Sequence, residues 1–260
     1  MKKRWVRLIG LGVVVYLLAL VVQFPASWAL HWARGSVPDT VAWEGVEGTV
    51  WSPRFQRVAV SLPNGGRLLI GPGEVRMQPG KLLTGELGYT FRAELLGGQV
   101  RGRLNHGFGD RWEIPEIQGR LDLANLGEVD PRLAMAEARG GLLFAGQELH
   151  GGSLPEGGQV RATLEDLRVG LVPTAGPLGE YALEGEVSGP GRLEGTVETL
   201  NGGTLDISGR YRVDLQARTY RFNGEGQAGA EAPEVLRDML PMLGTVRDGR
   251  VTIRQQGRLP

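Results

Sequence analysis

The amino-acid sequence predicts an all-β domain of many short antiparallel strands, arranged as a curved sheet or a sandwich, behind one N-terminal transmembrane helix. Runs in which apolar and polar residues alternate predict the strands, since this pattern suits a sheet with one solvated face. The chain also contains 42 glycines among 260 residues, about twice the usual share, which we interpret as marking many turns. The helix is predicted from one apolar run near the start of the chain.

That apolar run covers residues 8–22, which contain no charged side chain. With its flanking residues it approaches the roughly 20 residues that a bilayer-crossing helix needs. Four cations precede the run, and no comparable cluster follows it: Lys2, Lys3, Arg4 and Arg7. The positive-inside rule therefore predicts a cytoplasmic tail over residues 1–7, a membrane helix over residues 8–24, and a domain over residues 35–260 outside the cytoplasm.

A cleaved signal peptide is the alternative interpretation of this run. Ser27 and Ala29 are small residues at the spacing that a signal peptidase recognises. However, the apolar run is at the upper limit of roughly 7–15 residues for a signal peptide, and the bulky Trp28 and Trp32 crowd the site. We therefore favour a retained anchor. The helical spacing of residues 25–34 predicts that the helix continues to residue 34, with both tryptophans near the membrane interface.

Strand-like stretches follow in order along the rest of the chain. We predict them over residues 41–51, 55–62, 67–78, 83–95, 99–105, 112–123, 142–149, 159–169, 181–187, 192–200, 204–222 and 251–256. Gly45 and Gly48 interrupt the first stretch, a Gly-Pro-Gly at 71–73 breaks the third, and Pro115 predicts an edge or a bulge. The segment 126–139 is the least strand-like and is a candidate boundary between two halves of the domain.

Turns and one helix complete the prediction. Asn64 followed by two glycines predicts a hairpin, and Asp248 with Gly249 predicts a type I′ turn before the last strand. A short helix is predicted over residues 233–243, with Pro233 at its start, Gly244 after its end and Pro241 shortening it. Its apolar side consists of Leu236, Met239, Leu240 and Leu243.

The clearest alternation in the chain lies within residues 204–222. Its apolar positions are Tyr211, Val213, Leu215, Tyr220 and Phe222, which alternate with charged and polar residues. This predicts a strand pair with one apolar face. We consider two roles for the face: a core that a second layer covers, or an open groove for lipid.

Composition argues against several classes of protein. The formal net charge is zero, and the acidic excess beyond residue 7 offers no basic surface for nucleic acid. Cysteine is absent, and His31, His106 and His150 are far apart, so the usual metal-site spacings are missing. The chain contains no nucleophile elbow, and no Gly-x-Gly pair opens a helix after a strand. We therefore predict no catalytic, cofactor-binding or metal-binding residues.

One stretch resembles a known family. Residues 45–51 read GVEGTVW, and the pattern Gly-x-x-Gly-Thr-aliphatic-Trp, found soon after the anchor, resembles the type II secretion system protein N family. The matching positions are Gly45, Gly48, Thr49, Val50 and Trp51. From the residues alone, we interpret the glycines as points where the strand bends, and Trp43 and Trp51 as seeds of the packed face.

The resemblance implies a bacterial inner-membrane protein with a periplasmic β-rich domain and no catalytic residues. Its implied role is accessory, as a binding and scaffold component of the machinery that exports folded proteins across the outer membrane. Its implied partners are the inner membrane and other secretion-complex proteins. The alternative function is a membrane-tethered lipid-binding or lipid-transfer module, and we predict no cofactor in either case.

Overall fold

The computed structural model describes residues 16, 20, 22–36, 38–62, 65–107, 109, 111–129, 134–135, 137–170, 176–201, 203–230 and 232–259. The predicted tail with Lys2, Lys3, Arg4 and Arg7, and most of the predicted membrane helix over residues 8–24, lie outside these residues. Within the described part of the chain, no helix is both long enough and apolar enough to cross a membrane.

The described residues form sixteen strands and two α-helices. The strands are β1 Val41–Glu44, β2 Glu47–Thr49, β3 Ser52–Phe55, β4 Arg57–Ser61, β5 Arg67–Gln78, β6 Glu86–Leu95, β7 Gly98–Gly107, β8 Trp112–Asp122, β9 Arg139–Gly151, β10 Pro155–Arg168, β11 Glu180–Val187, β12 Arg192–Asn201, β13 Leu205–Asp214, β14 Thr219–Ala228, β15 Gly244–Arg247 and β16 Arg250–Arg258. The helices are α1 Ala26–Ala33 and α2 Glu234–Leu243, and short 3₁₀ helices cover Arg34–Ser36, Pro79–Thr84 and Leu123–Glu128.

All sixteen strands belong to one antiparallel sheet, which confirms the all-β prediction. From β4 to β14 each strand pairs with the next one along the chain, β1 and β15 lie at the two ends, and the β2–β3 hairpin joins β5. The described strands thus form a meander in a single sheet rather than a sandwich of two. Several strands are longer than predicted, β10 reaching 14 residues, because bulges let glycine and charged residues stay within the strand.

Several local predictions are confirmed. The Gly-Pro-Gly break of the third stretch is a bulge between Ile70 and Gly73 inside β5, and β8 shifts register beside Pro115. Asp248 and Gly249 both have positive φ, as a type I′ turn requires. The sheet runs without interruption from β8 to β9, across the segment proposed as a boundary. The division into halves itself stays a prediction.

The predicted first stretch over residues 41–51 is interrupted at Gly45, as predicted, and contains two separate strands and a turn. β1 ends at Glu44, and the chain then forms the β2–β3 hairpin, whose turn is Val50 and Trp51. The reason is backbone conformation at Gly45, which lies between β1 and β2 and has a φ of +64°, outside the range of a regular strand. Gly48 has a φ of +87° but stays within β2, where it pairs with Pro53. Trp43 and Trp51 are half-buried, so neither is a buried seed of a core.

The main buried cluster lies under α2. Leu236 and Leu240 of the helix pack against Val251 and Ile253 of β16, and Met239 packs at the margin of this cluster. Leu243, predicted on the same side, is 38% exposed. Pro241 does not shorten the helix, which runs on to Leu243. Of the thirteen buried hydrophobic residues in the described part of the chain, eight belong to this one cluster.

The chain exposes an unusually large surface. Its accessible area is 17583 Å², whereas a compact monomer of 28.1 kDa exposes about 11,000 Å². A single-layer sheet explains this excess, because most of the described strands have neighbours at their edges but no other described strand packed on their faces. Stability therefore depends on the contacts between adjacent strands.

Tyr181 makes the cluster sensitive to alkaline pH. Burial, assisted by the Asp206 carboxylate, raises the pKa of its hydroxyl to about 12. The hydroxyl lies 2.8 Å from the Leu205 carbonyl oxygen and 3.1 Å from that of Leu178, so it can donate to either. The folded state therefore prefers the neutral phenol.

We expect the free energy of unfolding to fall as pH rises from about 10, the pKa of an unfolded tyrosine, to about 12. Below about pH 10 both states are protonated and this contribution is complete. Urea titrations across this range should show a shallower loss for Tyr181→Phe than for the wild type. Tyr220→Phe, at an exposed tyrosine, is the matched control, and an equal slope in all three proteins would contradict the assignment.

Candidate functional site

One face of the sheet is apolar along almost its whole width. Residues paired directly across neighbouring strands point to the same face, so the strand register identifies a row that crosses ten strands, from β5 to β14. In that order the row consists of Val75, Phe91, Gly102, Ile117, Gly146, Val160, Gly185, Gly195, Tyr211 and Phe222. We call the side of the sheet that carries this row the apolar face.

Aromatic rings on the apolar face lie across glycines of adjacent strands. At each of these glycines, an aromatic atom is 2.5 to 2.8 Å from the position that a Cβ would occupy. The pairs are Phe55 with Gly73, Phe91 with Gly102, Phe144 with Gly119, Tyr211 with Gly195, Phe222 with Gly209 and Gly224, and Tyr220 with Gly257. Because the glycine on the partner strand has no side chain, each ring can lie flat against the backbone, and the surface of the apolar face is nearly flat.

This arrangement corrects our interpretation of the glycine content as a sign of turns. Many glycines lie inside strands, in phase with the apolar residues, because only a residue without a Cβ leaves room for the neighbouring ring. The signal was present in the sequence: Gly185, Gly195 and Gly209 each lie two residues from an apolar residue on either side. Strand-interior glycines in this phase identify the apolar face.

Two polar groups on the apolar face have partners within the protein. The Tyr211 hydroxyl donates to the Glu184 carbonyl at 3.2 Å, and burial raises the pKa of this hydroxyl. The Trp112 indole N–H donates to the Gly152 carbonyl at 2.6 Å. Among the described residues, no buried side-chain polar atom lacks a partner. The apolar face therefore offers mainly hydrocarbon and aromatic surface.

The opposite face carries the charges, many of them in ion pairs across adjacent strands. Arg103 binds Glu116 at 3.1 Å, and Arg161 binds Glu184 at 3.0 Å. Arg212 binds Glu194 at 2.9 Å. Exposed pairs of this kind contribute about 0.2–1 kcal/mol each, so their main effect is to keep this face in water. Within the described ranges, no three His, Asp or Glu side chains gather as a metal site would require.

The structure places four of the five predicted groove or core residues on the apolar face. Tyr211 pairs with Phe222, and Val213 pairs with Tyr220. Leu215 is not on a strand, because β13 ends at Asp214 and Leu215 begins the turn to β14. Tyr211, Val213 and Phe222 are half-buried, and Phe222 borders the cluster under α2. Leu215 and Tyr220 are 41% and 39% exposed.

Most other apolar-face residues are also half-buried rather than buried. This group includes Phe91, Ile117, Phe144, Val160, Leu183 and Val197. Neighbours on adjacent strands cover their sides, while no second sheet of the described chain covers their tops. Alternation in the sequence predicts the β13–β14 part of this face but not its continuation to β5. Exposed apolar surface of this extent indicates a binding surface.

The motif at 45–51 begins in the link between β1 and β2 and continues through β2 to the turn of the β2–β3 hairpin. Thr49 pairs with Ser52 across the turn, and Thr49 also bridges to Pro25. The Val50 N–H donates to the Phe24 carbonyl at 2.9 Å, and the Trp51 carbonyl accepts from the Met77 N–H of β5 at 2.8 Å. The hairpin thus connects the chain before α1 to the sheet.

Comparison with known proteins gives one family. The family model described as "Type II secretion system (T2SS), protein N" matches residues 39–254, which is most of the chain and includes β1 to β15. No curated protein and no solved structure gives a significant match.

Proposed function

Because the chain belongs to the type II secretion system protein N family, we propose that it is an accessory, non-enzymatic component of that machinery in the bacterial inner membrane. In this proposal residues 1–7 are cytoplasmic, residues 8–24 are the membrane anchor, and residues 35–260 are periplasmic. The protein acts by binding and scaffolding other secretion-complex proteins during the export of folded proteins across the outer membrane. The anchor raises its local concentration near membrane partners.

The observation that carries a binding role is the open apolar face. A protein that had only to fold would cover its apolar residues, whereas this chain leaves them half-exposed over ten strands. The short end strands add a second mode of contact, since no described strand pairs with the outer edge of β1 or of β15, and such an edge can accept a strand from a partner.

A complementation assay tests this proposal. In a host that lacks its own copy, the full chain should restore the release of type II substrates into the medium. Val213→Glu, which places a carboxylate on the apolar face, should lose this activity, because a partner would have to bury the charge. Thr196→Glu, on the exposed polar face, is the matched control. Normal secretion without the protein, or equal rescue by both variants at equal protein levels, would contradict the proposal.

The second candidate is a membrane-tethered module that binds or transfers lipid. The observation that favours it is the chemistry of the apolar face, which is mainly hydrocarbon and aromatic and on which the Tyr211 hydroxyl and the Trp112 indole N–H already have internal partners. A flat, mainly hydrocarbon face suits acyl chains, which need hydrocarbon contact and little else. The residues that would line this site include Tyr211, Val213, Tyr220 and Phe222, with Leu215 at the strand end.

Photoreactive lipid distinguishes this candidate from scaffolding alone. The full chain is placed in vesicles whose phospholipid carries a diazirine on the acyl chain, irradiated and mapped by peptide mass spectrometry. Lipid binding predicts adducts in β11–β14, which Val213→Glu removes and Thr196→Glu keeps. Lipid that merely surrounds the anchor would label residues 8–34 alone, and that result would contradict lipid binding.

A further inference from the structure

Helix α1 has an unusual surface for a helix in water. Its sequence, ASWALHWA, contains no lysine, arginine, aspartate or glutamate. Trp28 and Trp32, one turn apart, are 61% and 71% exposed. A helix on the surface of a soluble domain normally presents charged residues on its outer side. Here that side carries two large indoles, which prefer the boundary between water and lipid headgroups.

The other side of α1 is attached to the sheet. Ala26, in the first turn of the helix, is only 2% exposed. Thr49 bridges to Pro25, and the Val50 N–H donates to the Phe24 carbonyl at 2.9 Å. The Phe24 ring contacts Trp32, with the two ring centroids 5.7 Å apart. The helix is therefore held at its N-terminal end, where the apolar run enters it.

The glycines of the motif make this attachment sterically demanding. Gly48 has φ of +87°, and a Cβ at this position would lie 2.5 Å from the Ser52 carbonyl oxygen. Gly45 has φ of +64°, and a Cβ there would lie 2.5 Å from the Gln56 side chain. Gly65 has a similar φ of +81°, but nothing lies within 4 Å of its Cβ position. Gly48 is thus required by close packing as well as by backbone conformation.

We infer that α1 lies on the periplasmic surface of the lipid bilayer, contacts it through Trp28 and Trp32, and is locked to the sheet by the β2–β3 hairpin. The motif at residues 45–51 is then a rigid connection, which we call the joint, and it fixes the orientation of the sheet relative to the membrane. This inference rests on the membrane anchor of the proposed function.

The bilayer is the occupant that fits this surface because of where the apolar run ends. The uncharged run over residues 8–22 is followed, after Gln23 alone, by Phe24, whose carbonyl accepts a hydrogen bond from the hairpin. Two of its described residues, Leu20 and Val22, are 50% and 60% exposed, so the apolar surface of α1 continues toward the anchor. Ala26, where α1 begins, is four residues from Val22, a separation of at most about 14 Å of extended chain, so α1 begins close to the headgroups.

Spin labelling tests the position of α1, and the absence of cysteine from the chain permits single labels. The full chain in nanodiscs of phosphatidylcholine and phosphatidylglycerol carries a nitroxide at residue 28, 32, 20 or 242. Labels at 28 and 32 should relax faster with oxygen than with a water-soluble nickel complex. The label at Met242, 81% exposed on α2, is the matched control and should show the reverse.

Two outcomes separate the inference from the proposed function. If the label at Leu20 is in lipid while those at 28 and 32 behave like the label at 242, the anchor stands and the inference is wrong. If the label at Leu20 is also in water, the anchor itself is wrong. Protection of residues 28 and 32 from both reagents would indicate a protein partner in place of lipid, and would also overturn the inference.

The joint is tested by the distance distribution between nitroxides at Ser27 and Ser61. The wild type and Gly65→Ala should give one narrow peak, and Gly48→Ala should lose that peak and give a broad distribution. Val50→Pro, which removes the N–H that Phe24 accepts, is a second variant that leaves the rest of the sheet intact. A narrow, unchanged peak in both Gly48→Ala and Val50→Pro would show that the hairpin is not the joint.

Discussion

Gly195→Ala is expected to lower the free energy of unfolding by about 2–4 kcal/mol, from overpacking and a lost hydrogen bond. The new methyl group would overlap the Glu184 carbonyl oxygen of β11 and would lie 2.6 Å from the Tyr211 hydroxyl oxygen. The Glu184 carbonyl belongs to the backbone and moves aside less easily than the Tyr211 side chain. We therefore expect the Tyr211 ring to leave the apolar face, which breaks its hydrogen bond to the Glu184 carbonyl.

Urea unfolding followed by circular dichroism measures this loss. Gly107→Ala is the matched control, since Gly107 ends β7 and nothing lies within 4 Å of its Cβ position; its effect should stay within about 0.5 kcal/mol. Equal effects of the two substitutions would mean that the rings do not depend on the strand glycines.

Leu240→Ala is expected to cost about 2–4 kcal/mol, the usual range for a buried leucine. Leu240 is 5% exposed and lies in the cluster with Val251 and Ile253, so its truncation leaves a cavity between α2 and β16. We expect this loss of stability to be confined to α2 and the strands next to it. Each strand of a meander contacts mainly its two neighbours, as the repeats of a solenoid do, and distant strands need not unfold together.

Hydrogen exchange resolves where this loss falls. In Leu240→Ala, amides of α2, β15 and β16 should exchange faster, while those of β6–β8 should keep their wild-type rates. Met242→Ala is the control, because Met242 lies on the same helix and is 81% exposed. Faster exchange throughout the sheet would show that it unfolds as one cooperative unit.

The sequence predicted the class of the fold and much of its order, because alternation is a local signal. The bounds of β5 were predicted to the residue, and the type I′ turn at Asp248 and Gly249 follows from their tolerance of positive φ. The helix over residues 233–243 was predicted from its apolar spacing and its flanking proline and glycine. These features depend on residues close together in the chain.

The missed features depend on contacts between strands. Alternation shows that a strand has two different faces, but it does not show whether a second sheet covers one of them. The sequence therefore does not distinguish a sandwich of two sheets from a single sheet. Glycine was assigned to turns because the ring that requires Gly102 or Gly195 belongs to a neighbouring strand. The attachment of the hairpin turn to the chain before α1 is not predicted, because the Val50 N–H and the Phe24 carbonyl that it contacts are about two dozen residues apart in the sequence.

The central claim is that the apolar face is the surface that binds partners. Photocrosslinking in intact cells tests it most directly, with a photoreactive amino acid at Val160 or Val213 on the apolar face and at Arg161 or Arg212 on the polar face. These neighbours differ mainly in the face to which they point. We predict that positions 160 and 213 capture identified secretion-complex proteins or phospholipid, whereas positions 161 and 212 do not. Capture from the polar face alone, or none from the apolar face, would contradict the account.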